Sequence, residues 1–404
     1  MPPTLSVIIV VYNRREAVLR TIQHVTVALA QVQARRERQA WRAKESDEPG
    51  IERVEFEADP DEPDDAGQTG SGPAKTDPPG RVATAAPADE SEPPVDILDA
   101  VRSGAIIPES VSCTGVVSFS EDDPARSPGV PPDAWNALAE IIVVDNASTD
   151  GSAAAVREAF PFCCVIELDA NTGVEAFNRG EVAARGKHLL ILDDDAWPEP
   201  RGLDEGLAEL ERDDVLGAVM LQPVHPRTGQ REWPFDRIVG RMNNWPDLRC
   251  ANLVRRESWK RVGGYESGFF LYRNDTDLAL KLLGAGYDVA YDPSWWAMHD
   301  SPHITVRRVR WFVLSTRNWV WMCRRHARRL GWVLPALMGW LWAHRLAGAS
   351  VARQWAAFRG GVAGFVVPGP RVPACVRRDG KALTRLIELK RRLRNRPHRS
   401  MTGP

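Results

Sequence analysis

Continuous apolar runs alternate with amphipathic stretches along two separated parts of the chain. Four of these runs are rich in Val, Ile and Leu, and unbroken apolar positions are typical of strands buried on both faces of a parallel sheet. Helical patterns separate the last three runs. This alternation predicts right-handed βαβ units and therefore a mostly parallel sheet flanked by helices. The four predicted strands cover residues 5–11, 140–145, 163–168 and 188–193.

Helical and strand patterns continue on both sides of this region. The first strand is followed by Asn13, a residue type that caps helices well, and by a helical pattern that extends to about Lys44. Beyond the fourth strand, the pattern predicts a helix over 201–212 and a strand over 216–224. Residues 258–299 then predict a helix, a Gly-rich turn, a second helix and a short strand.

An acidic segment, residues 45–94, interrupts the first βαβ crossover. It is rich in Asp, Glu, Pro, Gly and Ser, so it cannot bury enough apolar surface to offset its ordering entropy. From Glu45 to Asp99 there are 17 acidic residues and three basic ones. We therefore predict a largely disordered insert over 31–137. Polar loops of this length are tolerated because closure entropy grows only logarithmically.

The C-terminal region carries the opposite charge. Residues 304–404 contain 22 Lys and Arg and two acidic residues, although the chain of 404 residues has a formal net charge of −2. Many Trp residues lie among the arginines of 304–360, a composition typical of helices that lie on an anionic membrane surface. The longest apolar run, 331–343, has 13 residues. A bilayer span needs about 20.

Two alternatives for this basic region stay open. It could form a helical subdomain that packs on the rest of the chain and presents a solvated basic face. Arginine clusters also permit nucleic-acid binding, but no recognition motif accompanies them, so we expect no nucleic-acid partner.

Neither the cysteines nor the N-terminus indicates export. The six cysteines show no CxxC pair or other metal-binding spacing, and nothing requires an oxidising compartment. The first residues lack the basic segment and the apolar length of a secretory signal. We expect a cytoplasmic protein that is peripheral at the inner face of the cell membrane.

Three consecutive carboxylates, Asp193, Asp194 and Asp195, follow the fourth predicted strand. Adjacent like charges repel, and a buried strand that ends in three of them needs a counter-charge. A divalent cation is the simplest one, because Mg²⁺ or Mn²⁺ at a nucleotide is usually held by one or two carboxylates and phosphate oxygens. The alternative is an acidic turn that caps the next helix.

Polar residues also follow the first two predicted strands. Tyr12 follows the first strand and Asp145 ends the second, at the carboxyl edge where open parallel sheets bind ligands. A nucleotide base could stack on Tyr12 and donate its imide N–H to Asp145, while a metal at Asp195 takes the diphosphate. Each residue also has an ordinary explanation, since Asp145 can cap a turn and Tyr12 can be a strand-end aromatic.

Several separated motifs resemble the inverting glycosyltransferases of family 2, and most of all their bacterial rhamnosyltransferase-like branch. The resemblance implies the GT-A fold, an α/β architecture with a Rossmann-like, mostly parallel sheet. It covers residues 1–30 and 138–303, which we predict to be the catalytic domain, and leaves 304–404 as a helical, Arg- and Trp-rich region. The motifs are SVIIVVYNR (6–14), EIIVVDNASTDGS (140–152), NTGVEAFNRG (171–180), LLILDDDAWPEP (189–200), RVGGYESGFFLYRNDTDLALKLLGAGYDV (261–289) and WWAMHDSPH (295–303).

The resemblance also implies roles for individual residues. Asp145 matches the aspartate that binds the base, and Asp193 and Asp195 match the outer carboxylates of the metal motif. The phosphate-side motif NTGVEAFNRG is one residue shorter than expected. The implied donor-binding residues are Tyr12, Asp145, Asn178 and Asp194, and the implied ligands for Mg²⁺ or Mn²⁺ are Asp193, Asp195 and His299.

Asp275 matches the family's catalytic base, which ordinarily belongs to a Glu-Asp pair. Here Asn274 replaces the Glu. Asp277 is the second candidate, although its counterpart in the family is usually structural. Without the resemblance, Asp275 would be assigned to helix capping and His299 to an ordinary buried or surface histidine.

These observations predict a metal-dependent inverting glycosyltransferase that moves a hexose or deoxyhexose from a UDP- or dTDP-sugar to a lipid-linked or polysaccharide acceptor. Inversion needs one base on the acceptor side, and the leaving diphosphate needs a cation. A nucleotidyltransferase is one alternative, but VVYNRREAV (10–18) lacks a Gly- and Lys-rich phosphate loop. A catalytically silent membrane scaffold is the other, and Asn274 is the feature that supports it.

Overall fold

The four apolar runs form strands in the computed structural model of the chain, as the sequence predicts. Their side chains are mostly buried, because helices cover both faces of the sheet. The strands are β1 (Leu5–Val11), β2 (Ala139–Asp145), β3 (Cys164–Glu167), β4 (His188–Asp193), β5 (Ala196–Pro198), β6 (Leu216–Val224), β7 (Ala251–Arg255) and β8 (Asp288–His299).

The structure describes residues 3–47, 130–232, 238, 240–300, 307–378 and 380–394. The acidic segment that we predict to be disordered lies outside the described residues from residue 48 onward. The chain divides into two compact units, residues 1–39 with 109–404, and residues 40–108. In the second unit, the described residues are 40–47, which form the end of a helix.

The eight strands form one sheet with the order β3-β2-β1-β4-β7-β6-β8-β5. The sheet is parallel from β3 through β4, and β6 pairs with β8 in parallel as well. β7 runs antiparallel to both neighbours, and β5 runs antiparallel to β8. The mostly parallel α/β sheet is therefore confirmed, with two antiparallel strands that the sequence pattern does not single out.

Ten helices are described, and most match predicted ones within a few residues. One strand differs in extent, because β8 is twelve residues long rather than short. The helices are α1 (Arg15–Asp47), α2 (Ser152–Ala159), α3 (Glu175–Ala183), α4 (Pro200–Arg212), α5 (Arg256–Val262), α6 (Asn274–Ala285), α7 (Val309–His326), α8 (Val333–Ala347), α9 (Val351–Val366) and α10 (Lys381–Arg394).

The hydrophobic core lies in two layers, one on each face of the sheet. On one face, α1 contributes residues spaced three or four apart, so that a single stripe of the helix is buried. On the other face, Phe177 of α3, Trp259 of α5 and Leu278 of α6 belong to one core cluster with Ile8 of β1. The buried stripe of α1 comprises Val18, Ile22, Val25, Leu29 and Val32.

Helix α7 packs against α6 and against the turn that precedes it. Trp319, Val320 and Trp321 of α7 share a core cluster with Phe269 and with Leu280 of α6. The indole N–H of Trp319 donates to the carbonyl of Pro335 at 2.9 Å, and that of Trp321 donates to Val367 at 3.1 Å. A packed helical subdomain is thus present. Among the helices of the described ranges, none combines the length and apolarity that a bilayer crossing requires.

A buried ionic cluster joins α6 to α7. The carboxylate of Asp277 in α6 lies 3.2 Å from a guanidinium nitrogen of Arg325 and 2.8 Å from Nε2 of His326. Burial alone would raise the pKa of Asp277, but these two side chains hold it at about 2. Arg325 also bonds to Glu266 at 2.9 Å. Asp277 therefore anchors one helix to the other.

Replacement of Asp277 by Ala should destabilise the fold. The substitution leaves the guanidinium of Arg325 buried with less compensation, which typically costs roughly 3–5 kcal/mol. Chemical denaturation should show this loss in the free energy of unfolding. The matched control, Glu257→Ala on the exposed side of α5, should change it by less than about 0.5 kcal/mol. Equal, small effects of both substitutions would contradict the anchoring role.

Candidate active site

The predicted site residues meet at the carboxyl edge of the parallel strands. In the pairing of β1 with its two neighbours, Val11 lies opposite Asp145 and Val10 lies opposite Asp193. The ends of β2, β1 and β4 are therefore adjacent. Tyr12, half-buried, directly follows β1 at this edge.

Two loops at this edge are tied together by short polar contacts. The side-chain oxygen of Asn13 accepts from the backbone N–H of Thr149 at 2.7 Å, so Asn13 does not cap α1. Asp150 accepts instead from the backbone N–H of Arg15 in the first turn of that helix, at 3.0 Å. Asp145 accepts from the N–H of Ser148 at 3.2 Å, which also gives it a turn-forming role.

The three predicted metal ligands lie close together. Ligand atoms of Asp193, Asp195 and His299 all lie within 4.8 Å of one another. Nε2 of His299 lies 3.3 Å from a carboxylate oxygen of Asp195. The pairing of β5 with β8 causes this approach, because Ala196 lies opposite His299 and so places the histidine beside the end of the Asp triplet.

Glu232 holds the other side of the His299 ring. Its two carboxylate oxygens lie 2.9 Å and 2.8 Å from Nδ1 of His299. A histidine that donates Nδ1–H to a carboxylate keeps Nε2 available for a metal, which is the usual outer-shell arrangement of metal-binding histidines. Two carboxylates and one imidazole suit Mn²⁺. Mg²⁺ suits the carboxylates as well, but it binds an imidazole nitrogen less readily. The donor set therefore fits the predicted metal.

Arg14 supplies a second positive charge to the Asp triplet. One guanidinium nitrogen lies 2.6 Å from Asp194 and 2.9 Å from Asp195. Burial raises the pKa of Asp194 to about 8 despite Arg14. Burial would also raise the pKa of Asp195, but His299 and Arg14 hold it at about 2. Asp195 is thus the member of the triplet that is ionised at any ordinary pH.

Asn178 lies on α3 and uses both ends of its side chain on Tyr265. Its amide nitrogen donates to the Tyr265 carbonyl at 2.9 Å, and its oxygen accepts from the Tyr265 N–H at 2.9 Å. Gly264, at φ 55°, allows this approach, because a Cβ there would lie 2.2 Å from the Asn178 oxygen. Asn178 thus positions the Gly-rich turn, and the donor contact implied for it remains a prediction.

The same turn supports Asp275. The hydroxyl of Tyr265 donates to Asp275 at 2.6 Å, and the side-chain amide of Asn274 donates to the same oxygen at 3.1 Å. Asp275 is the second residue of α6, so it is not the N-cap. Burial raises the pKa of Asp275 to about 7, with the Tyr265 hydrogen bond acting in the opposite direction. Such a carboxylate can accept a proton near neutral pH.

The two acids of NDTD have separate environments. Asp277 is fully buried in its ionic cluster with Arg325 and His326, which removes it from any ligand. Asp275 is half-buried and close enough to Asp193 to influence its charge. Asp275 is therefore the acid that faces the Asp triplet.

Three supporting residues escape sequence reasoning. Arg14 belongs to the first motif, but its partners lie 180 and 181 residues away in the chain. Glu232 contacts His299 across 67 residues and belongs to no motif. Tyr265 stands in the Gly-rich turn, where nothing marks its hydroxyl for Asp275. Long-range partners of this kind leave no local pattern, so only the fold reveals them.

Comparison with known proteins supports the resemblance. Residues 135–277 match the family model described as Glycosyl transferase family 2. The matched range contains Asp145, the Asp triplet and Asp275, whereas Tyr12 and His299 lie outside it.

Two curated relatives are rhamnosyltransferases. One is the N-acetylglucosaminyl-diphospho-decaprenol L-rhamnosyltransferase of Mycobacterium tuberculosis, 26% identical over 214 residues, which cover 41% of this chain and 68% of that protein. The other is the rhamnosyltransferase WbbL of Escherichia coli, 37% identical over 74 residues, which cover 17% of this chain and 28% of that one. Among solved structures, the mannosyltransferase PcManGT from Pyrobaculum calidifontis aligns with a TM-score of 0.44 and 15% identity, over 91% of this chain and 88% of that chain.

Removal of the Tyr265 hydroxyl should raise the pKa of Asp275 further. In Tyr265→Phe, the carboxylate loses a donor that favours its charged form, so the pKa should move above about 7. NMR titration of ¹³C-labelled aspartate carboxyl groups measures this directly. Tyr287→Phe, a half-buried tyrosine elsewhere, should leave the value unchanged. Titration of wild-type Asp275 near its ordinary 3.8 would contradict the burial argument.

Proposed function

We propose that this chain, a family 2 glycosyltransferase, transfers a hexose or deoxyhexose with inversion from a nucleoside-diphosphate sugar and depends on Mg²⁺ or Mn²⁺. One observation carries the proposal: a cluster of metal-ligand type and an acid with a pKa near neutrality lie side by side at the carboxyl edge of the sheet. The first supplies a place for a leaving diphosphate, and the second supplies a base.

Asp193, Asp195 and His299 would hold the cation. When bound, it would neutralise charge that develops on the leaving diphosphate. Glu232 orients the His299 ring through Nδ1, and Arg14 fixes the Asp195 carboxylate from the opposite side. The resemblance assigns Asp194 to the donor, but its contact with Arg14 favours a supporting position beside the ligands.

Asp275 would act as the base. The oxygen of the acceptor hydroxyl forms a bond to the anomeric carbon while its proton passes to the Asp275 carboxylate, and the bond from that carbon to the diphosphate breaks. Attack from the face opposite the leaving group inverts the anomeric centre. Tyr265 and Asn274 hold the receiving carboxylate in place. Because the base must be deprotonated, the transfer rate should rise as pH increases through about 7.

The donor is proposed to carry uracil or thymine. Both bases present an imide N–H, which the Asp145 carboxylate can accept, while Tyr12 offers a ring on which the base can stack. The pairing of Val11 with Asp145 keeps these two residues on adjacent strands. A UDP- or dTDP-sugar therefore suits this end of the site.

A lipid-linked acceptor is favoured over a free polysaccharide. The mycobacterial relative is named for its action on N-acetylglucosaminyl-diphospho-decaprenol, and the share of that relative that aligns with this chain is 68%. We accordingly propose L-rhamnosyl or a similar deoxyhexosyl transfer to an acceptor that is anchored in a membrane. Such an acceptor requires an enzyme that works at the membrane surface.

Helices α8 and α9 offer the surface for attachment at the inner face of the membrane. Several of their large apolar side chains point into solvent, and the segment 327–366 contains five arginines and no acidic residue. Apolar side chains interspersed with arginines match an anionic bilayer surface. The exposed fractions are 66% for Leu334, 67% for Leu341, 82% for Val351, 60% for Trp355 and 73% for Val366.

Substitutions at the metal cluster and at the base should separate the two halves of the mechanism. Asp195→Ala should abolish Mn²⁺ uptake measured by calorimetry and, with it, metal-dependent hydrolysis of the sugar donor. Asp275→Asn should keep donor affinity but lower transfer at least about 100-fold, because a positioned base typically contributes that much. Glu257→Gln, an exposed acid on α5, serves as the control and should change neither quantity.

Two outcomes would redirect the proposal. Absence of metal uptake by the folded wild-type chain in the presence of UDP would contradict the metal role. Normal metal and donor binding without hydrolysis or transfer would favour the silent scaffold, for which Asn274 is the supporting feature. A nucleotidyltransferase would instead release diphosphate from a nucleoside triphosphate, which an assay with that substrate detects.

Charge introduced into the apolar surface of α8 and α9 should weaken membrane binding. Leu341→Glu with Trp355→Glu replaces two apolar side chains that would be buried in the membrane by two anions. We therefore expect at least about a tenfold loss of binding to phosphatidylglycerol vesicles. Val215→Glu, at a residue 58% exposed near β6, is the matched control and should have no effect. Equal vesicle binding by all three proteins would exclude this surface.

A further inference from the structure

Four cationic side chains gather beside the base. They come from four separate parts of the chain: the segment before β7, the loop before α6, the residues before α7, and α10. Because like charges repel, a group of this kind needs negative charge from elsewhere. The four residues are Arg249, Arg273, Arg307 and Lys390.

Helix α7 organises this group through one face. Trp311, Ser315 and Trp319 are spaced four apart, so they lie along one stripe of the helix. Arg273 donates from Nε to the Ser315 hydroxyl at 3.1 Å, and its guanidinium lies 6.0 Å from the Trp311 ring and 5.5 Å from the Trp319 ring. The stripe therefore holds Arg273 between two indoles.

The same two indoles contact the other cations. The guanidinium of Arg307 lies 4.9 Å from the Trp311 ring centre, and Nζ of Lys390 lies 4.5 Å from that of Trp319. Arg307 and Arg273 thus contact the same ring, that of Trp311, and Lys390 and Arg273 both contact the ring of Trp319. Burial lowers the pKa of Arg273 to about 10 and that of Lys390 to about 7, and the neighbouring cations act in the same direction.

Asp247 connects this group to the base. Its carboxylate pairs with Arg249 and accepts from the Thr276 hydroxyl at 2.6 Å. Thr276 directly follows Asp275, and Asp247 and Arg249 both act on the charge of Asp275. Four basic side chains therefore lie around one carboxylate, that of Asp247, next to Asp275.

The backbone around Arg273 is strained. Phe270, Tyr272 and Arg273 all have positive φ, at 62°, 69° and 66°. Non-glycine residues in this region carry strain that surrounding structure must offset, and such strain concentrates at ligand sites. Asn318 helps to hold this strained loop, because its side-chain amide donates to the carbonyls of Phe269, Leu271 and Tyr272 at 2.9–3.0 Å.

From these contacts we infer that Arg249, Arg273, Arg307 and Lys390 form a subsite for the diphosphate of a lipid-linked acceptor. Arginine and lysine donors match phosphate oxygens, and the two phosphates would bring negative charge to this group of basic side chains. The subsite lies on the Asp275 side of the centre, whereas the donor diphosphate belongs to the Asp195 side. This inference rests on the proposed transfer to such an acceptor.

Binding of inorganic diphosphate in EDTA tests the subsite, because chelation of divalent cations removes the metal-dependent donor site from the measurement. Calorimetry should detect binding by the wild-type chain. Arg307→Gln with Lys390→Gln should weaken it roughly tenfold or more, because each substitution removes a charged donor to the diphosphate oxygens. Arg308→Gln, at an exposed neighbour on the same segment, should leave the binding constant and donor hydrolysis unchanged.

A second ligand distinguishes the source of the diphosphate. Farnesyl diphosphate should bind at least as tightly as inorganic diphosphate, with the same sensitivity to the double variant. Binding of inorganic diphosphate alone would assign the cluster to a free anion and overturn the lipid-linked inference. So would equal binding by the wild type and the double variant, or no binding by the wild type.

The outcome is separable from the proposed function. Wild-type protein that hydrolyses the sugar donor with Mn²⁺ but shows no diphosphate binding in EDTA contradicts the subsite and leaves glycosyl transfer standing. Wild-type protein that does not hydrolyse the sugar donor with Mn²⁺ contradicts the proposed glycosyl transfer. Thermal unfolding of the double variant, compared with wild type, checks that weaker binding does not follow from a damaged fold.

Discussion

The structure depends on how it compensates the acidic end of β4. Three carboxylates leave a buried strand together, and each is handled differently: Asp195 contacts His299 and Arg14, Asp194 pairs with Arg14, and Asp193 stays exposed. These contacts require β1 on one side of β4, since Arg14 follows β1, and they require β8 to end beside β5. The order and direction of the strands are thus tied to charge balance at one edge. Apolar burial makes the sheet stable, but it does not by itself select which polar residues meet there.

Two acids in a single helical turn have different surroundings, which separates the proposed base from a structural anchor. Asp275 and Asp277 are two residues apart in α6, so they point in different directions. One is held by a tyrosine hydroxyl and keeps a pKa near neutrality, while the other is paired with Arg325 and has a pKa of about 2. Asn274 in place of an acid removes a like charge next to Asp275 and adds a hydrogen-bond donor. The departure from the family pattern is therefore compatible with a working base.

Much of the fold and part of the site follow from the sequence. Unbroken Val and Ile runs locate the strands at the centre of the sheet, and the carboxyl-edge rule brings Tyr12, Asp145 and the Asp triplet to adjacent strand ends. β7 is missed because ANLVR is short and includes two polar residues, Asn252 and Arg255. Both are buried in the fold, where Arg255 donates to the carbonyl of Leu216 and Asn252 accepts from the N–H of Arg249. Glu232 and Tyr265 are missed because their importance depends on partners that only the folded chain supplies. Asn178 shows the converse, since its motif suggests a ligand and its contacts are with the protein.

The anchoring of Asp277 by Arg325 and His326 links the first turn of α6 to the last turn of α7. The position of the proposed base, Asp275, is thereby set from the C-terminal region as well as from the sheet. Exchange of that region for another would displace Asp275 unless the incoming helix brought an arginine and a histidine that pair with Asp277 in the same way. The C-terminal helices and the first turn of α6 therefore form one structural unit, in which a change on one side has to be matched on the other.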